Sequence, residues 1–529
     1  MKMKSVITPQ QVFNHVAKPE IQRSTFDRSH GYKTTLNAGQ LIPVFVDEAL
    51  PGDTFNIQAT MFGRLSTPLK PIMDNLFLDV HFFSVPVRLL WENWKKFNGE
   101  QLNPSDHTNY LIPTITSGVG GYAESSLYDY MGLPTKIAGI THSALFLRAY
   151  NLIWHEWYRD ENLQDAPVLN IDDGPDAVAD YSVLPRGKRK DYFTASLPFA
   201  QKGTAVSVPL GSEAPVFGKN MTFDASTSTL NTVHIEDSTG NPKRLITSGT
   251  YLIGDNGAGA TDPKGRLFAD LSAATASTIN QLREAFQVQR MYEKDARGGT
   301  RYTEMLRAHF GVISPDARQQ RPEYLGGSTH NITVNPIAQN SATTAGSTPQ
   351  GNLSAMGTVT AHGTGAIKSF TEHEIVIGLV SVRADLNYQQ GLHRMWSRQT
   401  RFDFYWPSLS HLGEQAILNK ELYAQGTAGG TDDDSVFGYQ ERYAEYRYKP
   451  SQVTGLFRSN ATASLDIWHL SQEFSALPAL NETFITENPP IARVVAVPSE
   501  PQFLLDCYFN FKAARPMPTY ATPGLIDHF

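Results

Sequence analysis

With 529 residues the chain is long enough for about two or three average domains, or for one β domain enlarged by insertions, and its length does not decide between them. The formal net charge of −7 excludes a protein that coats nucleic acid through an overall basic surface, so any contact with nucleic acid must be local. Charged residues make up 18% of the chain and aromatic residues 11%. This balance is typical of surfaces that are buried against neighbouring molecules, but a large enzyme with a big core would show it too.

Alternating apolar and polar residues predict half-buried strands near both ends of the chain, over 55–61, 76–82 and 505–512. The run EIVIGLVSV over 374–382 predicts a more deeply buried strand. Because the single cysteine, Cys507, lies in one of these strands, we expect a buried thiol. One cysteine excludes an intrachain disulfide and a cysteine-rich metal site. The absence of a disulfide suits a protein that folds and assembles in a reducing cytoplasm.

Two helices are predicted between these strands. The first covers about 143–162 and presents a broad apolar face. The second begins near Thr278, where Thr278 and Gln281 have capping-box spacing, and continues through Met291. Since helices and strands do not alternate one for one, a doubly wound α/β fold is disfavoured. The patterns favour a mainly β chain, a β-sandwich whose connections are enlarged by helices and loops.

Two segments are rich in small polar residues and poor in aromatic ones. Residues 203–276 contain mainly Ser, Thr, Gly and Ala with short apolar runs, and residues 335–365 have almost nothing to bury. Such composition predicts surface loops or excursions. For 340–352, an ordered loop and a disordered linker both remain open.

The familiar catalytic and metal-binding motifs are incomplete. His155 and Glu156 begin an HExxH-like pattern, but Arg159 stands where the second zinc ligand would be. The group Glu372, His373 and Glu374 fits a charged entry to the following strand better than a metal site. Two acidic groups lack EF-hand spacing and are predicted as solvated loops: Asp172, Asp173 and Asp176, and Asp432, Asp433 and Asp434. The sequence therefore predicts no catalytic site, no metal site and no cofactor.

The densest positive patch of the chain lies at 186–190 and is followed closely by two aromatic residues. Cations beside aromatic rings suit phosphate contact combined with base stacking, whereas a solvated or subunit-pairing patch is the alternative. Two further cations lie at the N-terminus. The candidate nucleic-acid-binding residues are Lys2, Lys4, Arg186, Lys188, Arg189, Lys190, Tyr192 and Phe193.

Four stretches of sequence carry a resemblance to a known family. They are RGGTRYTEMLRAHFGVISPDARQQRPEYLGGS at 297–328, GYKTTLNAGQLIPVFVDEALPGDTF at 31–55, LPRGKRKDYFTASLPFAQKG at 184–203 and RPMPTYATPGLIDHF at 515–529. In these stretches the chain resembles the major capsid proteins of the Microviridae, in the gokushovirus branch of small single-stranded DNA phages. Because they lie near both ends and in the middle, the resemblance covers essentially the whole chain.

The resemblance implies a jelly-roll β-sandwich of the viral capsid type with long helical and loop insertions, and it implies no enzymatic activity. Copies of the chain would form a T=1 icosahedral shell around circular single-stranded DNA, with 203–276 as a surface protrusion that contacts a host receptor. Further implied partners are a small basic DNA-packaging protein, an internal scaffolding protein and a minor pilot protein. The location would be the virion, after assembly in the cytoplasm of a bacterial host.

Two other classes of protein remain as alternatives. One is a secreted or cell-surface β-sandwich that binds glycans, and the other is a glycoside hydrolase. The start MKMKSVITPQQ lacks the apolar core of a signal peptide, which counts against the secreted protein. No stretch approaches the ~20 apolar residues that span a bilayer, so we expect no membrane insertion.

Overall fold

The structure is a computed structural model that describes residues 22–101, 103–104, 107–204, 206, 216–218, 221–222, 234–236, 242–248, 251–254, 267–269, 279–298, 302–311, 320–341 and 350–520. The chain divides into two compact units, one formed by Met1–Ala200 with Ser314–Phe529 and the other by Gln201–Ile313. Lys2 and Lys4 lie outside the described residues, as does most of the predicted protrusion at 203–276.

The strands of the described residues are β1 Ser24–Asp27, β2 His30–Leu36, β3 Ile42–Ala49, β4 Thr54–Leu65, β5 Leu76–Pro86, β6 Thr114–Thr116, β7 Thr141–Ser143, β8 Val216–Gly218, β9 Met221–Thr222, β10 His234–Glu236, β11 Pro242–Ser248, β12 Tyr251–Gly254, β13 Leu267–Ala269, β14 Glu323–Ala338, β15 Leu353–Ser369, β16 Glu374–Ala384, β17 Asn387–Tyr388, β18 Glu414–Leu418, β19 Val436–Glu441, β20 Ser451–Gln452 and β21 Phe503–Arg515. The α-helices are α1 Trp94–Phe97, α2 Leu127–Tyr130, α3 Leu145–Trp157, α4 Ile279–Arg297, α5 Tyr302–Phe310, α6 Asn419–Leu422 and α7 Glu482–Ile485.

Nine strands among the described residues of the first unit form one antiparallel sheet. Its order is β1, β21, β4, β15, β14, β5, β16 and β3, and β2 pairs with β21 on the same side as β1. The four strands predicted from the sequence are all in this sheet: β4, β5, β16 and β21. The C-terminal strand thus pairs with strands from the beginning of the chain, as Cys507 opposite Met61 shows.

The sheet curls around a hydrophobic core. Along β4 and β21 buried and exposed residues alternate, so one face of each strand points inward. Phe45 of β3 packs on Phe509 and Phe511 of β21, with ring centroids 5.2 and 5.3 Å apart. Because β3 and β21 lie near opposite ends of the strand order, these contacts show that the two halves of the sheet face each other. The predicted mainly β fold with long insertions is confirmed, and Cys507 is buried as expected.

The outer face of part of the sheet is covered by α3. In β16, Val376 and Val380 belong to the inner core, whereas Ile375, Ile377 and Leu379 pack in a second core with residues of α3. Burial on both faces explains why EIVIGLVSV shows no alternation. The Tyr150 hydroxyl of α3 donates to the Leu41 carbonyl oxygen at 2.7 Å. The predicted helix is confirmed and is shorter than the predicted 143–162.

The prediction of a surface loop over 335–365 is wrong at both ends of that range, because β14 continues to Ala338 and β15 begins at Leu353. The small residues of β15 serve close strand packing. A Cβ added at Gly365 would lie 2.2 Å from the carbonyl oxygen of Ile57 in β4. Residues 342–349, within the connection, lie outside the described residues, so both interpretations of 340–352 stay predictions.

The acidic group at 172–176 is not a solvated loop throughout. The side chain of Asp176 is only 1% exposed and accepts hydrogen bonds from Arg148 and from the Tyr181 hydroxyl. Burial alone raises the pKa of this carboxyl, but the bonds from Arg148 and Tyr181 outweigh it and lower the pKa. A long-range ion pair therefore fixes this residue.

The second unit contains α4, α5 and two small sheets among its described residues. One sheet has the order β12, β11, β10 and β9, and the other pairs β13 with β8. His309 of α5 lies 2.6 Å from an oxygen of Asp295 in α4. The predicted helix through Met291 is confirmed as α4, whereas its predicted cap, Thr278, lies outside the described residues. No helix in the described part of the chain is long and apolar enough to cross a membrane.

Candidate nucleic-acid interface

The predicted cationic cluster at 186–190 is held on both sides by other parts of the first unit. The Arg186 amide donates to the Gly39 carbonyl oxygen at 2.7 Å, and the Lys188 amide donates to the Ile485 carbonyl oxygen at 2.8 Å. Gly187 pairs with Thr486 in an isolated antiparallel bridge. The cluster is therefore a fixed segment whose side-chain directions are set by the backbone.

Lys188 points inward and has a structural role. It is 7% exposed, and its ammonium donates to Gln472 at 2.8 Å and to the Phe484 carbonyl oxygen at 2.6 Å. Burial lowers its pKa to about 8, and the nearby Glu487 acts in the opposite direction. The pKa of Glu487 is raised to about 7. Burial is the main cause, and the nearby charges of Lys188 and Arg383 act in the opposite direction without cancelling it. This charge is unavailable to a phosphate outside the protein.

Arg186 lines a cleft of about 320 Å³. Its guanidinium lies 4.5 Å from the ring centre of Tyr158, and burial lowers its pKa. Among the described residues, the buried Nε atoms of Arg186 and Arg159 have no hydrogen-bond partner. Arg383 also lines the cleft, where Asp79 neutralises it at 2.5 Å. The remaining side chains of the lining include Trp157, Asp160, Glu161, Lys188 and Lys190.

Arg189 and Lys190 are the more exposed members of the cluster. The Arg189 side chain is 36% exposed, lies 3.8 Å from the ring centre of Phe77 and is 3.6 Å from Asp385. The Lys190 side chain is 57% exposed and contacts Asp160 at 2.5 Å. Both pairings are solvent-accessible, so they are weak and can exchange for a phosphate.

Tyr192 and Phe193 do not present their rings to solvent, and the prediction that they stack on bases is therefore corrected. Each is 3% exposed and belongs to a third hydrophobic core. The Tyr192 hydroxyl donates to Glu421 at 2.9 Å, and the Phe193 ring packs edge-on against Tyr388 with centroids 4.9 Å apart. Asp191 accepts hydrogen bonds from the amides of residues 193 and 194 and turns the chain inward.

Sequence reasoning missed three residues that the fold brings to the cationic cleft. In the sequence, Arg159 is only the residue that breaks an HExxH pattern, and Trp157 falls within the predicted apolar helix. No sequence pattern indicated Arg383. Arg383 comes from β16, about 200 positions along the chain, so no local pattern connects it with Arg186. The cleft offers guanidinium donors near a half-exposed indole, which suits an anionic group next to a flat ring.

The acidic residues of the incomplete metal motifs make hydrogen bonds and ion pairs within the protein. Among the described residues there is no group of three or more His, Cys, Asp or Glu side chains that could hold a metal ion. Asp433 instead accepts hydrogen bonds from the amides of Gln425 and Gly426, and Asp434 pairs with Lys420. Glu374 begins β16, as the strand-entry interpretation predicts, and pairs with Lys368 at 2.8 Å.

Comparison with known proteins identifies the family. The model of the capsid protein (F protein) family matches residues 14–525. The chain is 49% identical to capsid protein VP1 of Bdellovibrio phage phiMH2K, over 98% of each chain, and 47% identical to capsid protein VP1 of Chlamydia phage 1, over 97% of each. It is 36% identical to capsid protein VP1 of Spiroplasma virus 4, over 96% of each. The chain therefore belongs to the F protein family of structural phage capsid proteins, in the gokushovirus branch of the Microviridae.

Proposed function

We propose that copies of this capsid protein close into a T=1 icosahedral shell around circular single-stranded DNA. The observation that carries the proposal is the family match over 14–525 together with the curled nine-stranded sheet. Low charge and many aromatic residues support it, since subunit interfaces are depleted in charged residues. Symmetric closure keeps such surfaces from forming open filaments.

Nucleic acid extracted from purified particles tests the genome part of this proposal. A nuclease specific for single strands should digest it, whereas an exonuclease that needs free ends should leave it intact. Double-stranded or linear nucleic acid in the particles would contradict the proposal while leaving the family assignment untouched.

The shell needs positive charge from elsewhere to package DNA. The chain contributes 45 Lys and Arg residues against 52 Asp and Glu residues, a difference of −7 per copy. A small basic packaging protein, polyamines or divalent cations would supply most of the neutralisation. By its resemblance the chain would also work with an internal scaffolding protein and a minor pilot protein during assembly in the cytoplasm of a bacterial host.

Direct DNA contacts would come from the cationic cleft and its rim. Arg189 and Lys190 offer exposed charges at the rim, and Arg159 and Arg186 line the cleft beside them. Lys2 and Lys4 stay additional candidates from the sequence. Lys188, Tyr192 and Phe193 drop out of the proposal because they are buried in the protomer.

Replacing Arg189 and Lys190 together by glutamine should weaken DNA binding and leave shell formation intact. Loss of about two phosphate contacts should reduce the salt dependence, d log K against d log [salt], by about 1.4 for a single strand. The measurement is binding of a single-stranded oligonucleotide at several salt concentrations. Lys136→Gln removes an exposed, paired cation elsewhere and serves as the control. An unchanged slope in the double variant would remove this rim from the DNA contacts.

Residues 203–276 would form an outward protrusion that attaches the particle to its host. Small polar residues suit exposure, and such segments tolerate shortening better than core strands do. A deletion within 223–259 should spare shell assembly and lower adsorption to host cells by at least about tenfold. Particle counts by microscopy and adsorption assays check both parts. Normal adsorption, or failure of assembly, would contradict this role.

A further inference from the structure

Five aromatic side chains form an exposed surface in the long connection between β16 and β21. They are Phe402, Phe404, Tyr405, Trp406 and Tyr446, here called the aromatic patch, and each is between 47% and 54% exposed. A contiguous apolar surface larger than a few hundred Å² is uncommon on a soluble monomer and marks an interaction site. The cationic cleft contains none of these residues.

Direct contacts join the patch into one surface. The Tyr405 amide donates to the Tyr446 hydroxyl at 3.4 Å, and the two ring centroids are 6.3 Å apart. The Trp406 indole donates to the Arg401 carbonyl oxygen at 2.9 Å. The guanidinium of Arg398 lies 5.4 Å from the ring centre of Phe404 and 4.3 Å from that of Tyr446.

The patch is held in place by the protomer itself. Asp403 accepts hydrogen bonds from the amides of Gln399 and Thr400 at 2.9 and 2.7 Å. The buried Tyr443 donates through its hydroxyl to the Phe402 carbonyl oxygen at 3.2 Å. A surface that is already ordered loses little conformational entropy when a partner covers it.

Three arginines near the patch pair with carboxylates of the same protomer. Glu445 pairs with Arg398 at 3.2 Å, and Glu421 pairs with Arg394 at 2.9 Å. Arg447 pairs with Glu441. A platform for single-stranded DNA combines exposed rings with cations that are free for the phosphates. Here the inner arginines Arg394 and Arg398 are occupied by carboxylates, and Arg401 stacks on the rings of Phe402 and Trp406, with 5.0 and 5.9 Å to their centres. Arginine combined with Tyr, Trp and Phe is the composition in which protein interfaces are enriched, which favours a protein partner.

The area of the patch is close to what one half of a stable protein interface needs. Trp396 and Tyr448 lie close to it along the chain and are also exposed. Six of these aromatic side chains are about half exposed and Trp396 is 71% exposed. Together they offer on the order of 700 Å², against about 800 Å² per partner in a standard interface. Tyr, Trp and Arg are also the residues that contribute most to binding in such interfaces.

We propose that the aromatic patch docks against a second copy of this chain and is one of the surfaces through which the shell closes. This inference rests on the proposed shell and adds the surface that closes it. Rings that are about half exposed in the protomer become buried against a neighbouring copy. Removal of this apolar surface from water would favour assembly.

The variant Phe404→Asp tests the proposal, because it places a charge in the centre of the patch without removing a core side chain. Produced together with the other phage proteins, it should fold with an unchanged circular dichroism spectrum, sediment as unassembled protomers and lower the yield of shells by at least about tenfold. Val119→Asp places the same charge on a fully exposed residue elsewhere and should assemble normally. Phe404→Leu keeps the site apolar and should also assemble.

A second measurement is independent of how the variant folds. Hydroxyl-radical footprinting of wild-type protein should show that residues 402–406 are protected in DNA-free shells compared with dissociated protomers. Protection confined to DNA-filled particles would assign the patch to nucleic acid, and no protection in either particle would leave it a free surface; both results overturn the inference. Normal shells from Phe404→Asp, or equal loss from Val119→Asp, would do so too, whereas absence of shells from the wild-type chain would refute the proposed function itself.

Discussion

Replacing Asp176 by alanine is expected to lower the free energy of unfolding of the protomer by about 3–5 kcal/mol. The Asp176 oxygens lie 2.5 and 2.8 Å from nitrogens of Arg148, and the side chains of both residues are 1% exposed. Without Asp176, the guanidinium of Arg148 stays buried without its main countercharge. Arg148 also donates to the carbonyl oxygens of Leu90 and Asp172, so the loss extends to the loops around α3.

The control for this experiment is Asp172→Asn. Asp172 contacts the same guanidinium at 3.2 Å, but its side chain is 73% exposed, so the change should cost less than about 1 kcal/mol. Denaturant unfolding of unassembled protomers measures both variants, because assembly would otherwise add to the apparent stability. Similar losses of stability in the two variants would show that the buried Arg148–Asp176 pair stabilises the protomer no more than the exposed contact with Asp172.

Replacing Phe511 by alanine is expected to lower the free energy of unfolding by about 3–5 kcal/mol as well. The reason is that the change leaves a cavity where the two halves of the sheet meet. The Phe511 ring is fully buried and packs edge-on against Phe55 and Phe45, with centroids 4.9 and 5.3 Å apart. Assembly should fail in this variant as well, since the sheet is the framework of the protomer.

Tyr508 provides the matched control on the same strand. It lies on the opposite face of β21 and is 54% exposed, so Tyr508→Ala should change the free energy of unfolding of the unassembled protomer by less than about 1 kcal/mol. Equal losses at the two positions would contradict the assignment of inner and outer faces to β21.

The main sheet was predictable where its strands are buried on one face. Alternation along 55–61 and 505–512 reports directly which side chains point inward, and the structure places both segments in neighbouring strands β4 and β21. The strands β14 and β15 were not predictable in the same way. Their small residues resemble a loop in composition, and the need for them arises from close contact with β4, as at Gly365.

The candidate site was less predictable because its contacts are distant in sequence. Tyr192 stands beside four cations in the chain, but its hydroxyl bonds to Glu421, 229 positions away. Composition near Tyr192 therefore predicted an exposed ring where the fold buries one. The opposite holds for Phe404 and Trp406, because an aromatic run gives no sign that its rings stay half exposed. Arg148 and Asp176 are 28 positions apart and look like unrelated charges in the sequence.

Cryo-electron microscopy of purified particles would show directly whether copies of this chain form the proposed shell. We expect a closed T=1 shell in which every copy fits the curled nine-stranded sheet, with the single-stranded genome inside. We also expect the ends of the sheet, marked by Phe45 and Phe509, to remain packed together in the assembled copy. Particles without icosahedral symmetry, or protein found only as monomers and dimers during infection, would rule out such a shell.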